Sequence, residues 1–125
     1  FASFLPAELV PGTALVLDAI HLEEDFAGTV FAITGEGCLD FQTAMGKAPS
    51  GVARLARQCG VITLAFAGTV GQGAAAVHQS GVDAYFSILQ APSTRAEAMD
   101  TKCAYQNLAA SVEQVFRLIA AERAR

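Results

Sequence analysis

Charge is scarce in this sequence. Only 16% of the 125 residues are Asp, Glu, Lys or Arg, two of them lysines, and the net charge is −4. The six arginines are scattered, with Arg117, Arg123 and Arg125 in the tail. A nucleic-acid partner wants clustered cations, so this balance argues against one. Cysteine is sparse as well: Cys38, Cys59 and Cys103 show neither CxxC spacing nor an even count. Reduced thiols in a cytoplasmic protein are the expectation. No apolar run reaches the roughly 18 residues that cross a bilayer, so no membrane span is expected. No charged-then-apolar leader opens the chain. Phe1 is not a methionine, and FASFLPAELVPG reads as if cut from the middle of a longer protein.

What is present suits a buried α/β body: 53% of the residues are hydrophobic, and 11 glycines supply sharp turns. PGTALVLDAI (residues 11–20) carries a helical apolar stripe behind a proline suited to a helix start. Glu23-Glu24-Asp25 forms an acidic turn before Gly28. Val30–Ile33 reads as a short buried strand. A helix is predicted over Pro49–Cys59, with Val52, Leu55 and Ala56 on its stripe and Gly60 ending it. Val61–Ala67 is the clearest strand, Gly68–Gly71 a turn, and Gln72–Gln79 a short helix stopped by Gly81. Asp83–Leu89 reads as a third strand and Arg95–Met99 as one helical turn. From Thr101 the apolar spacing of three and four predicts one long helix. Strands alternating with helices imply a Rossmann-like parallel sheet, three strands here, with helices on its faces. A three-stranded parallel sheet is thin, which hints at further strands beside it.

One stretch gathers the polar and flexible residues: TGEGCLDFQTAMGKAPSG, residues 34–51, read as a long loop. It leaves the carboxyl end of the first strand, where ligands of open parallel sheets bind. Its glycines would let backbone N–H groups approach an anion, and the helix starting near Pro49 adds a positive dipole end. It is not the phosphate loop of nucleoside-triphosphate hydrolases, because Ala48 stands where GxxxxGK requires Ser or Thr next. GxGxxG fails too, since the spacing after Gly37 reaches Asp40. Glu36 and Asp40, near Lys47, could hold a magnesium ion or remove a proton from a substrate hydroxyl. An Asx-turn or cap by Asp40 is the plain structural alternative.

The order TGEG, LD, QT, GKAP and GVARLA resembles the motif of the bacterial type-1 glycerate kinases, written TGEGRxDxQTxxGKxPxGVA. The similarity continues through Val61–Gly71 and through GVDAYFSI (81–88), which resembles GIDAVFSI in that family. Pro11–Asp18 resembles the helix that precedes the motif. The resemblance implies an ATP-dependent kinase of glycerate with a two-lobed fold, mostly making 2-phosphoglycerate. This chain would be the C-terminal part, a segment of the Rossmann-like lobe, with an N-terminal remainder to complete the sheet. Carried over by position, Asp40 is the candidate general base or magnesium ligand, and Glu36 a ligand of magnesium or of the substrate hydroxyl. Lys47 would meet phosphate or the glycerate carboxylate. Thr34, Gly35, Gly37, Gln42 and Thr43 would line the substrate and phosphate site. ATP, magnesium and glycerate are the implied cofactors and substrate, and a homodimer is compatible. Cys38 stands where the family usually carries arginine.

Elsewhere, His21 and His78 read as surface or capping residues. Thr69 and Gln72 sit at the ligand-facing end of the second strand. Ser87 reads as packed in the third strand, Ser93 and Thr94 as caps, and Phe1, Phe4 and Leu5 as packing residues. Two rival classes remain: a non-catalytic interaction or structural segment, and a small nucleotide-binding module. The 125 residues alone are expected not to phosphorylate glycerate, because one lobe cannot hold the nucleotide.

Overall fold

The computed structural model describes residues 16–125 apart from Ala19. The expected helix over residues 11–20 therefore lies largely outside the described residues, as do Phe1, Phe4 and Leu5; residues 16–18 are helical. The acidic turn forms one short helix, α1 (Leu22–Asp25). Then follow β1 (Phe31–Leu39), a 3-10 turn (Thr43–Met45), α2 (Ala48–Gln58), β2 (Ile62–Val70) and a 3-10 helix (Ala74–Ser80). β3 (Ala84–Ser87), α3 (Arg95–Met99) and α4 (Thr101–Arg123) complete the order. The three strands form one parallel sheet in the order β1-β2-β3. The α/β class and the three parallel strands are those the periodicity predicts.

Two strands run further than expected. β1 continues through Thr34-Gly35-Glu36-Gly37-Cys38 to Leu39, paired with β2 from Phe31↔Ile62 to Leu39↔Val70. The first six residues of the stretch read as a loop are therefore strand. β2 likewise passes through Gly68 and Thr69 to Val70, where a turn was expected. The reason is the ladder itself. Glycine is a poor strand former alone, but here each strand end is the hydrogen-bonding partner of the other. The backbones also lie close: a Cβ added at Gly68 would come within 2.7 Å of the Gly37 carbonyl oxygen. At β3, Asp83 N–H donates to Thr63 O and Ile88 N–H to Ala67 O, extending the pairing by one residue at each end.

One sheet face is closed. Ala53 from α2, Ala65 and Ala67 from β2, and Ala74 and Val77 from the 3-10 helix pack with Leu39 and Val82. Phe26, Ala32, Ala56 and Val61 form a second buried cluster beside it. Small residues on α2 let the helix approach closely. Gly60, with φ of 73°, ends it, and Val61 N–H reaches back to Ala56 O at 2.8 Å. Gly81 has φ of 112°, and a Cβ there would lie 2.6 Å from Ala53 O, so only glycine fits against α2. Arg57 donates to His78 O at 2.8 Å and Gln79 O at 3.3 Å, tying α2 to the 3-10 helix.

The other face is held by aromatic contacts and by α4. Phe66 stacks on Phe86 at 5.4 Å, and Phe31 meets Phe116 of α4 edge-on at 5.5 Å. Arg123 lies over the Phe31 ring, 5.5 Å from its centroid. Gln90 Nε2 donates to the buried Ser111 Oγ at 2.8 Å. Thr94 caps α3 as expected, in a capping box with Glu97. Asp100 caps α4 by accepting from Cys103 N–H at 3.1 Å, which holds its carboxyl below the usual carboxylate range. Ser87 departs from expectation. Its side chain is exposed and its Oγ accepts from Leu89 N–H, because position 87 ends β3 with no layer over it.

Candidate functional site

The carboxyl ends of β1 and β2 open onto a cavity of about 980 Å³, roofed by α3, α4 and the segment before α3. Ile33, Gly35, Gly37, Phe66 and Gly68 form the sheet side of its lining, with Ala98, Ala104 and Leu108 opposite. Three glycines in that row explain the volume, since none puts a side chain into the space. Thr34, Glu36, Cys38 and Thr69 also line it, and Arg95 is the one basic residue among the lining groups. Ligands of open parallel sheets bind near the carboxyl ends of the strands; this cavity lies against those halves of β1 and β2, and Asp40, Gln42, Thr43 and Lys47 are not among the residues that line it.

Asp40 follows β1 directly. Its Oδ1 accepts from Gln42 N–H at 2.9 Å and Thr43 N–H at 3.3 Å, while its own N–H donates to Thr43 Oγ1 at 3.2 Å. The Asx-turn weighed as the plain reading is therefore present, closing the 3-10 turn. It uses only one carboxylate oxygen. Among the described residues Oδ2 meets only Cys38 Sγ, at 3.9 Å. The turn is anchored from behind: Thr43 is fully buried, its carbonyl accepts from the buried Ser50 hydroxyl, and Ser80 Oγ donates to Ala44 O. The cap occupies Oδ1 and leaves Oδ2 with the Cys38 thiol as its one partner among the described residues.

The other predicted residues divide into groups. Thr34, Gly35, Glu36 and Gly37 come together along the cavity, on strand rather than loop. Gln42 is exposed beside Asp40, and its contribution there is its backbone N–H. Thr43 faces inward, with its hydroxyl accepting from the Asp40 backbone. Lys47 is exposed at the N-cap of α2, with backbone but no side-chain capping. Thr69 joins the cavity; Gln72 is exposed next to the Asp40 bend and takes Phe41 N–H on its carbonyl. His78 is exposed, bonded to Val82 O at 2.7 Å and stacked on Tyr85 at 5.2 Å, in line with a surface residue. The three cysteines are free.

A magnesium ion tests differently at the two carboxylates. Glu36 and Asp40 are separated by four residues, roughly 13 Å of extended chain, so they do not clamp one ion side by side. Among the described residues no three His, Cys, Asp or Glu side chains converge as a protein-made metal cage would need. Asp40 alone fits the way magnesium is commonly held, by one carboxylate with phosphate oxygens and waters. No helix among the described residues is long and apolar enough to cross a membrane.

These features define a segment of a parallel α/β fold with a capped carboxylate just past the end of β1. The profile of the glycerate kinase family matches residues 1–120, and the chain belongs to that family. It is 47% identical over 97 residues to a glycerate kinase of Halalkalibacterium halodurans, covering 78% of this chain and 26% of that protein. It is 40% identical over 106 residues to the glycerate 2-kinase of Escherichia coli, covering 85% and 27%. Against a Bacillus subtilis glycerate kinase the identity is 36% over 119 residues, covering 95% and 30%. The chain thus spans less than a third of the length of these curated relatives.

Proposed function

We propose that this chain forms the C-terminal part of an ATP-dependent kinase that phosphorylates glycerate, with 2-phosphoglycerate as the product. The observation that carries the reading is the Asp40 bend. One carboxylate oxygen is immobilised by two backbone N–H groups, and the other, at the carboxyl end of a parallel strand, meets only the Cys38 thiol among the described residues. Phosphoryl transfer asks a protein for alignment and charge neutralisation more than for covalent steps. Asp40 Oδ2 accepts the proton of the substrate hydroxyl as that oxygen attacks the terminal phosphorus of ATP and the bond from that phosphorus to the bridging oxygen breaks, releasing ADP; or Asp40 holds magnesium. When bound, magnesium would neutralise the phosphate oxygens of ATP. Lys47 adds a full positive charge at the N-terminus of α2, placed for a phosphate or the glycerate carboxylate. Gly35 and Gly37 put no side chain into the cavity, Thr34 and Glu36 add polar groups to its lining, and Gln42 stands beside Asp40. Thr43 supports Asp40 from behind. The free thiols suit a cytoplasmic setting.

The test is a chimera in which residues 1–125 replace the matched stretch of the Halalkalibacterium halodurans kinase. Magnesium-dependent conversion of glycerate and ATP to 2-phosphoglycerate, followed by phosphorus NMR, is expected. A folded chimera without turnover would overturn the reading, and a 3-phosphoglycerate product would overturn the regiochemistry alone.

A second reading concerns the 125 residues by themselves and is favoured by their share of the relatives' length. Alone, the chain does not phosphorylate glycerate, since the remaining length has to complete the nucleotide site. Turnover by the purified chain would contradict this, and saturable ATP binding in calorimetry would favour a self-sufficient nucleotide module instead.

A further inference from the structure

Behind the Asp40 bend lies not a side chain but another piece of backbone. Gly71, the residue after β2, donates its N–H to Leu39 O at 2.7 Å, and Phe41 N–H donates to Gln72 O at 3.2 Å. The segments 39–41 and 71–73 are therefore stitched together on both sides of Asp40. The fit is tight at both glycines. A Cβ at Gly71 would lie 3.2 Å from Asp40 Cβ, 3.5 Å from Cys38 Sγ and 3.6 Å from Leu39 O. A Cβ at Gly73 would lie 2.8 Å from Phe41 Cβ. The two glycines are needed for different reasons. Gly73 has φ of 75°, a conformation that favours glycine whatever surrounds it. Gly71 is outside that region, so its requirement is space alone, and the space belongs to Asp40 and Cys38.

We propose that Gly71 is a positioning residue for Asp40: its bare Cα lets the end of β2 close against the bend and fixes where the carboxylate stands. This rests on the reading of Asp40 as the carboxylate that meets the substrate hydroxyl or the ion. A methyl group at 71 obliges Asp40 to give by a few tenths of an ångström. Misplacement by about 1 Å can cost on the order of a hundredfold in rate, so a shift of this size should cost about tenfold.

The experiment is Gly71→Ala, read in two ways. In the 125-residue chain, NMR should show the Gln42 and Thr43 amides, which donate to Asp40 Oδ1, shifting and exchanging faster. The Ala53 amide in α2 should stay unchanged. In the chimera, kcat should fall about tenfold while KM for ATP stays within about twofold, the split expected when an alignment rather than a binding contact is lost. Unmoved Gln42 and Thr43 amides, or an unchanged kcat, would overturn the proposal. So would a Gly71→Ala chain that no longer folds, because the glycine would then serve the fold instead of the carboxylate. Asp40→Asn in the same chimera separates the two levels. If it keeps its turnover, the reading of Asp40 fails. If it is inactive while Gly71→Ala changes nothing, only the positioning role fails.

Discussion

The two faces of the sheet are packed to different standards. On the α2 side, Leu39, Ala53, Ala65 and Val77 are completely excluded from solvent. On the α4 side, Ile33 is 52% and Leu108 43% exposed, around a cavity of about 980 Å³. Core packing at crystal-like density leaves no voids of that size. The difference teaches how one small sheet divides its duties. The closed face supplies the stability and, through Ser50, Thr43 and Gly71, the rigidity of the Asp40 bend. The open face, cleared of side chains by Gly35, Gly37 and Gly68, leaves a cavity against the sheet.

This division predicts unequal costs for similar substitutions. Leu39→Ala empties a fully buried site and should destabilise by about 3 kcal/mol in urea unfolding. Leu118→Ala, at a site 71% exposed on α4, should stay within about 0.5 kcal/mol. Equal losses at the two positions would erase the distinction. Gly81→Ala should cost about 2 kcal/mol, because it meets both a left-handed φ and the Ala53 carbonyl; a neutral result would mean that the α2 contact is loose. Thr63→Val should move stability the other way, by up to about 1 kcal/mol. Thr63 Oγ1 is buried without a hydrogen-bond partner among the described residues, and an isosteric methyl removes that desolvated hydroxyl. A loss there would show that the hydroxyl has a partner in solution.

The smallest effect belongs to the open side. The Asp100 carboxyl is held low chiefly by the Cys103 backbone N–H, so its cap is at full strength above the ordinary Asp pKa of about 3.9. The cap weakens as pH falls through the lower folded value. Circular dichroism should therefore show α4 fraying only below about pH 4, and Asp100→Asn should flatten that acid limb without touching the closed face. An acid limb that survives the substitution would assign it to other carboxylates.

Much of this arrangement is legible in the sequence. The apolar runs after glycines announce the strands, and the three-and-four spacing after Thr101 announces α4. The strand ends are not legible, because Gly35, Gly37 and Gly68 have no intrinsic strand preference and enter the ladder only through the pairing of β1 with β2. Asp40 is visible as both a cap and a candidate reacting group, and the structure shows the cap. Thr43 looks like a ligand contact by its place in the motif, yet its hydroxyl is consumed inside the turn. Gly71 carries a signal only in the spacing Gly71-Gln72-Gly73, which marks a turn without saying what that turn must clear. That information lies in the approach of residues 39–41, which no local pattern encodes.

The central claim is that the free oxygen of Asp40 performs the chemistry while the bound oxygen holds the bend. Asp40→Asn keeps an oxygen able to accept the Gln42 and Thr43 N–H groups but removes the charge and the basicity. Steady-state turnover of glycerate by the chimera carrying this substitution is the most direct measurement. A loss of at least about a thousandfold in kcat, with thermal unfolding unchanged, is the predicted result. Near-normal turnover would contradict the account.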